Sequence, residues 1–232
     1  MKILAIDTSS FPASAAVAED GIILAEYVIR NKKKHSQNIM VMVERLLDDL
    51  SVDINDIDLF AVTVGPGSFT GLRIGISTVR AFAQAAGKKC VGVNTLEAAA
   101  FNFAGCGKTV VSILDALRNE VFAAAYEFDG LNMNMIMDPC VADIEECVEK
   151  YGSENVIYTG DGTIKHSQYL KEHGCLCAPC NLSEVRASSV AALAALKAEQ
   201  GGAEDYGNII PMYLRKSQAE REYENKTKKT VK

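Results

Sequence analysis

Acidic and hydroxyl side chains follow directly after the first apolar run of the chain. Ile3 to Ile6 are apolar, and Asp7, Thr8, Ser9 and Ser10 come next. In α/β folds, ligands bind beyond the carboxyl ends of parallel strands. A carboxylate at such a position suits a hydrated Mg²⁺, and the hydroxyls and turn amides suit phosphate oxygens. The same residue types also cap a hairpin turn without any ligand, and for this segment taken alone we favour the structural interpretation.

A glycine-rich segment from Gly65 to Gly75, with the sequence GPGSFTGLRIG, lies between an apolar run and a helical pattern. Its position resembles that of a phosphate loop, because a hydroxyl such as that of Ser68 can cap a helix whose free amides attract anions. The Gly-Lys-Ser/Thr of a Walker A loop is absent, however, and Pro66 lacks one of the amides that would cradle phosphate. We therefore favour a structural role, in which the first glycines permit a tight turn and the later ones admit another helix closely.

A third group of reactive side chains contains Cys175, Cys177 and Cys180, preceded by His166 and His173. Zinc accepts sets of three Cys and one His, so a zinc site is conceivable here. The cluster has no second knuckle, and its members are too close in sequence for easy tetrahedral wrapping. We therefore predict thiols without a metal. The chain also lacks His-Glu-x-x-His, His-x-x-x-His and Gly-x-Ser-x-Gly, which excludes the corresponding hydrolases.

The elements that carry these segments can be predicted from hydrophobic periodicity. Three strands open the chain, and Asp20-Gly21 marks a hairpin between the second and the third. Helices and further strands then alternate, which favours right-handed crossovers and a mostly parallel sheet. The predicted elements are strands from Ile3 to Ile6, Ala13 to Ala18, Ile22 to Ile29, Leu59 to Val64 and Cys90 to Val93, with helices from His35 to Leu50 and about Gly71 to Ala86.

The pattern starts again after a link from Ala104 to Lys108. The predicted strands run from Thr109 to Leu114, Val121 to Phe128, about Met135 to Val141 and Val156 to Tyr158, and the predicted helices from Asp143 to Lys150, Thr163 to Glu172 and Ala187 to Glu199. We therefore predict an N-terminal lobe over 1–104, a like C-terminal lobe over 108–217 and a basic tail over 218–232.

Two of the predicted helices have more apolar surface than one sheet can cover. The helix from Gly71 to Ala86 is apolar nearly all round, and Met40 and Leu47 extend the apolar surface of the helix from His35. Such a helix must be covered on more than one side. An apolar patch shared by two helices indicates a partner protein. A large internal core is the other interpretation, and the pattern alone leaves both open.

Composition limits the classes of function. The chain has 232 residues, 48% of them hydrophobic, and a formal net charge of -6, which argues against a free-standing nucleic-acid binder. From Arg215 onward the sequence contains seven basic and three acidic residues, so a contact with a polyanion would begin there. Seven cysteines without a secretory start indicate reduced thiols, and no run of 18 apolar residues occurs. We expect a cytoplasmic protein that does not enter a membrane.

Taken in order, these segments resemble the TsaB (YeaZ) family over about residues 1 to 217. The glycine-rich segment is the most specific part of the resemblance, and the others are persuasive through their order. The matching residues are Asp7-Thr8-Ser9, His35-Ser36, Gly65 to Gly75, Asp115-Ala116, Arg118, Glu120-Val121-Phe122, Gly160-Asp161-Gly162 and Pro211-Met212-Tyr213-Leu214-Arg215.

The resemblance implies an α/β fold of two actin-like, Hsp70-like ATPase lobes of the ribonuclease H-like kind, with the second lobe reduced. It also implies a role in making N6-threonylcarbamoyladenosine at position 37 of tRNA. In that family the catalytic subunit is the paralogue TsaD, which holds a metal through His-x-x-x-His, and TsaE is an ATPase that joins the pair. TsaB is the non-catalytic partner. Members of the TsaB family form homodimers alone and heterodimers with TsaD, through helices that correspond here to about residues 36 to 50 and 71 to 86.

The first hypothesis is therefore a scaffold without catalytic or metal-binding residues of its own, which contacts tRNA only through the complex. Apolar burial would hold it to TsaD. The predicted contact residues are Ile39, Met40, Val43, Leu47, Ile76, Val79 and Phe82.

The second hypothesis is an ATPase that acts alone and binds Mg-ATP, if only weakly. Asp7 would hold Mg²⁺, and other polar residues would surround the phosphates or the adenosine. The predicted residues of this site are Asp7, Thr8, Ser9, Gly160, Asp161 and Gly162.

Overall fold

The apolar runs of the first half form one five-stranded sheet, seen in a computed structural model that describes residues 1–31, 35–117 and 119–215. The strand order is β3-β2-β1-β4-β5; β1 pairs antiparallel with β2 and parallel with β4, as the opening hairpin and the later crossovers predict. The strands are β1 (Lys2–Asp7), β2 (Ala13–Glu19), β3 (Ile22–Ile29), β4 (Leu59–Gly65) and β5 (Lys89–Asn94).

Two long helices, α1 (His35–Leu50) and α2 (Phe69–Ala86), cover one face of this sheet. The Ser68 side chain caps α2 by accepting a hydrogen bond from the Gly71 amide, and Gly87 ends the helix in the left-handed conformation that glycine adopts without a steric cost. The core between the helices and the sheet is formed mainly by apolar side chains. Burial of this surface positions both helices side by side.

The opposite face of the first sheet is covered by α3 (Thr95–Phe101) and α7 (Ala187–Glu199). Alanine-rich helices can approach a sheet closely, and α7 packs against β1, β2, β4 and β5. Residues 187–199 fall within the predicted 108–217 lobe in sequence, but in space they complete the first lobe. The short helix α3 was not predicted.

The second half forms a second sheet with the same plan, in the order β8-β7-β6-β9-β10. Its strands are β6 (Thr109–Asp115), β7 (Glu120–Asp129), β8 (Asn132–Asp143), β9 (Val156–Thr159) and β10 (Leu176–Cys177), and its helices are α4 (Ile144–Tyr151), α5 (Gly162–Lys165) and α6 (Ser167–Glu172). The two-residue β10 was not predicted. The single helix predicted from Thr163 to Glu172 is divided into two at His166.

Among the described residues, no helix is both long enough and apolar enough to cross a membrane. Arg118 and the predicted tail over 218–232 lie outside the described residues.

Candidate functional site

A cleft of about 530 Å³ separates the two lobes at the carboxyl ends of the central strands. The turn after β1 contributes Ser9, and the first turn of α2 contributes Phe69. The second lobe contributes Asp115 and Asp161, and the C-terminal segment adds Tyr213. The cleft is therefore lined by aromatic rings, hydroxyls and carboxylates, at the position where α/β folds bind ligands.

Asp7 lies behind this cleft and does not line it. Its Oδ1 atom accepts hydrogen bonds from the Ser9 amide at 3.0 Å and from the hydroxyls of Ser9 and Thr63, both at 2.6 Å. Its Oδ2 atom is buried and has no hydrogen-bond partner. Burial raises the pKa of the Asp7 carboxyl, and the bonds from Ser9 and Thr63 oppose that shift. The carboxyl therefore stabilises the conformation of the turn after β1.

The glycine-rich segment packs on the same turn. The Thr8 hydroxyl donates to the Gly71 carbonyl oxygen at 2.8 Å, and the Ser68 amide donates to the Ser9 carbonyl oxygen at 2.7 Å. A Cβ atom on Gly71 would collide with the Thr8 carbonyl oxygen, and one on Gly75 with the Thr8 hydroxyl. The predicted structural role of the glycines thus has a physical cause. Their neighbour, however, is a turn and not the predicted second helix.

In the second lobe, the Gly160-Asp161-Gly162 turn packs closely on β6, as the glycine-rich segment packs on the turn after β1. A Cβ atom on Gly160, which has a φ of +98°, would collide with the Ile113 carbonyl oxygen of β6. Asp161 Oδ1 accepts from the Asp115 amide at 3.0 Å, and burial raises the pKa of the Asp161 carboxyl. Of the six residues predicted to bind a nucleotide, only Ser9 and Asp161 line the cleft.

Several of the groups that could bind Mg-ATP are already committed within the chain. A phosphate needs free amides or cations, and Mg²⁺ needs accessible oxygens. The Ser68 and Gly71 amides are already hydrogen-bonded, and Asp7 is enclosed. Among the described lining residues, Arg215 has the only guanidinium or ammonium group, and it is ion-paired with Glu120.

The three cysteines of the predicted thiol cluster lie around a groove of the second lobe. Burial raises the pKa of the Cys175 and Cys177 thiols, which favours the protonated form. Over residues 1–31, 35–117 and 119–215, no group of three or more His, Cys, Asp or Glu side chains could hold a metal ion. The described residues therefore give no support to a zinc site.

Most of the predicted partner-contact residues lie inside the first lobe. Ile39, Val43, Ile76 and Val79 are buried between the helices and the sheet, as is Leu47. Because their side chains already fill the chain's own core, they offer little surface to a partner, and their part in an interface stays a prediction.

Other apolar residues of the two helices are exposed or only partly buried. Met40 is 50% exposed and Val41 60% exposed on α1, while Phe82 is half-buried and Ala81 is exposed on α2. We call these four residues the outer helical face. Sequence reasoning missed Val41 and Ala81, because periodicity identifies the apolar side of a helix that faces its own sheet. The signal that could have identified them is an apolar residue that lies outside the main apolar stripe of its helix.

Comparison with known proteins gives three kinds of match. The family described as "TsaD: tRNA N6-adenosine threonylcarbamoyltransferase" matches residues 22–223. The "tRNA threonylcarbamoyladenosine biosynthesis protein TsaB" of Bacillus subtilis is 31% identical over 223 residues, which span 95% of this chain and 96% of the relative.

Solved structures match as well. YeaZ from Pseudomonas aeruginosa superposes with a TM-score of 0.80 at 24% identity, over 92% of this chain and 99% of that one. The activator of 2-hydroxyisocaproyl-CoA dehydratase from Clostridium difficile, solved with bound ADPNP, gives a TM-score of 0.52 at 16% identity, over 87% of this chain and 97% of that one. The predicted α/β fold of actin-like lobes is confirmed.

Proposed function

The chain belongs to the TsaB (YeaZ) family, and from this premise we propose that it is a non-catalytic subunit of the complex that forms N6-threonylcarbamoyladenosine at position 37 of tRNA. The name of the Bacillus subtilis relative supports the pathway. The match to the TsaD family supports a shared ancestry with the transferase. In this proposal the chain binds TsaD and keeps it active, TsaE joins through the complex, and tRNA contacts the assembly.

The outer helical face is the observation that carries the proposal. Helix α1 rests on β2 and β3, and α2 rests on β4, so the two helices contact each other over one face of the first sheet. Met40 and Val41 then expose apolar surface, and the small Ala81 side chain lets another helix approach closely. Removing such a surface from water contributes about 25 cal/mol per Å² of apolar area, which the entropic cost of association offsets in part.

The chemistry of the cleft supports a non-catalytic role. The hydroxyls of Thr8 and Ser9 and the carboxyl of Asp7 donate to or accept from the chain's own groups. A nucleophile or base needs to reach a substrate, and these atoms are committed to holding the turn after β1. The outer helical face is therefore the better candidate for function.

The direct test is size-exclusion chromatography with light scattering of the chain alone and mixed with TsaD of the same organism, followed by a tRNA modification assay. We expect a homodimer alone, a one-to-one pair in the mixture, and modification only when the chain is present. A chain that elutes apart from TsaD would overturn the proposal.

Paired substitutions locate the interface. Val41→Glu and Ala81→Glu place a charge on the outer helical face, which we expect to weaken TsaD binding by about 100-fold or more, because an unpaired charge would be buried. Leu131→Glu is the matched control, since Leu131 is 62% exposed in the second lobe and Val41 is 60% exposed. All three variants should melt near the wild-type temperature. Normal TsaD binding by the first two would exclude this surface.

An ATPase that acts alone is the second candidate, and the similarity to a structure with bound ADPNP is the observation in its favour. Calorimetry of the chain with Mg-ATP decides between the two. We expect no micromolar binding, because Asp7 is enclosed and the Ser68 and Gly71 amides are already hydrogen-bonded within the chain. Micromolar binding that Asp7→Ala removes would replace the scaffold proposal.

A further inference from the structure

The motif Pro211-Met212-Tyr213-Leu214-Arg215, which the proposed interface does not use, runs along the cleft and contacts both lobes. We call Pro211–Arg215 the strap. Four of its five residues line the cleft. Its contacts fall into two sets, one with the first lobe and one with the second.

The strap is anchored first at the end of β4. The Met212 amide donates to the Val64 carbonyl oxygen at 2.7 Å. Just before the strap, Ile209 is buried in the core beneath α2. A Cβ atom on Gly65 would collide with the Met212 carbonyl oxygen, so the glycine-rich segment leaves room for the strap. This end of the strap is therefore built into the first lobe.

The first turn of α2 holds the middle of the strap. The Tyr213 ring stacks on the Phe69 ring with centroids 4.7 Å apart. The Arg73 guanidinium lies 3.9 Å above the Phe69 ring, and its Nε atom donates to the Tyr213 hydroxyl at 3.0 Å. Stacking and cation–π contacts each add to simple burial.

Arg215 makes the contacts with the second lobe. Its Nη1 atom donates to the Ala116 carbonyl oxygen at 2.6 Å, and its Nη2 atom is ion-paired with Glu120. Ala116 and Glu120 flank the turn between β6 and β7. The Ala116 amide donates to the Glu120 carbonyl oxygen at 3.0 Å, so the turn that Arg215 contacts is closed by its own backbone hydrogen bond.

The position of the strap determines what it can do mechanically. The lobes share a buried apolar core that includes α3, α7 and strands of both sheets, and Leu214 of the strap packs against it. Two packed lobes can change their relative angle by a hinge or shear motion. The strap contacts both lobes along the cleft, and a guanidinium hydrogen-bonded to a carboxylate and a carbonyl resists their separation.

We propose that the strap holds the second lobe at a fixed angle to the first, and that Arg215 and Tyr213 are positioning residues for the activity of the transferase complex. The statement about activity rests on the proposed function, whereas the statement about the lobes does not. The outer helical face belongs to the first lobe. Loss of the strap should therefore leave TsaD bound and lower the rate of tRNA modification.

Arg215→Ala in the full chain tests both statements. Hydrogen–deuterium exchange of the peptides that contain the β6–β7 turn and the strap should become at least about fivefold faster, because the contacts to Ala116 and Glu120 are lost. Retention with TsaD should be unchanged, and the modification rate at saturating chain should fall at least about threefold. Arg215→Lys should recover part of the rate, since an ammonium group still pairs with Glu120.

Arg186→Ala is the matched control, because Arg186 is ion-paired with Glu26 away from the cleft. It should change neither the modification rate nor the exchange of the strap. Unchanged exchange in Arg215→Ala would overturn the mechanical statement. Faster exchange with a normal modification rate would overturn the positioning role. If the wild-type chain fails to bind TsaD, the proposed function fails, while the exchange comparison still decides what the strap does.

Discussion

The two lobes share one strand plan but differ in the helices that cover it. In each, a central strand pairs antiparallel with a hairpin on one side and parallel with a further strand on the other. In the first lobe α1 and α2 have 16 and 18 residues, whereas the corresponding crossovers of the second lobe hold α4 with eight residues and the short pair α5 and α6. Long parallel helices give the first lobe a broad outer surface, so the proposed interface lies there.

The turns after the central strands differ in burial. Asp7 follows β1 and is enclosed, with hydroxyl partners. Asp115 ends β6 and is half-buried, with Lys165 and the Leu117 amide as partners. The first turn is therefore part of a core, and the second is part of a surface. Substitutions at equivalent positions of the two lobes should therefore change the free energy of unfolding by different amounts.

Alanine at the two tight glycines should give the largest effect. In Gly71→Ala the new methyl group meets the Thr8 carbonyl oxygen, and in Gly160→Ala it meets the Ile113 carbonyl oxygen. Because backbone atoms cannot move aside, we expect each substitution to cost about 3 kcal/mol of unfolding free energy, measured by chemical denaturation. Gly87→Ala is the control, since nothing lies near its Cβ position, and it should cost about 1 kcal/mol for its left-handed backbone. Equal losses in all three would contradict the close-packing argument.

The next effect separates the two aspartates by pH. Burial raises the pKa of Asp7, so the folded chain binds that proton more tightly than the unfolded chain does. The stability of the wild type relative to Asp7→Asn should therefore be greatest at acidic pH and fall as pH rises through the raised pKa. Denaturation of both proteins between about pH 4.5 and pH 8 checks the sign. A difference that grows with pH would show that Asp7 is stabilised as the carboxylate.

The smallest effect concerns the surface pair of the second lobe. Lys165→Ala removes the ion pair with Asp115, in which both side chains are about one-third exposed. Solvent and salt screen such a pair, so we expect a loss of about 0.5 kcal/mol in thermal or chemical unfolding at low salt and less at high salt. A loss of about 2 kcal/mol or more is typical of a buried ion pair, and it would contradict the difference in burial between Asp115 and Asp7.

Most strands and helices could be predicted because their apolar residues repeat with a clear period. The predicted bounds of β3, α1 and α7 agree with the structure. Helix α3 and strand β10 were missed, because seven and two residues are too few to show a period. The spatial assignment of α7 could not be predicted either, since its alanine-rich sequence suits a contact with any sheet.

The candidate site was predicted less well for a related reason. Apolar periodicity selects residues such as Val79 that face the chain's own sheet, so the same signal cannot identify the surface of a helix that meets a partner. The glycine-rich segment was predicted to have a structural role, because Pro66 and the missing lysine argued against phosphate, and the close packing of its glycines supports that role. Its actual neighbours, Thr8 and Met212, are distant in sequence and follow only from the folded chain.

The packing of α7 on the first sheet has a consequence for synthesis at the ribosome. One face of a sheet built by residues 2 to 94 stays only partly covered, by α3, until residues 187–199 have been made. Chains grow at about 5–20 residues per second, so the nascent first lobe exposes apolar strands for several seconds at least. During that interval the emerging chain is a natural substrate for chaperones, and synonymous codon changes between β5 and α7 should alter its yield more than those after α7.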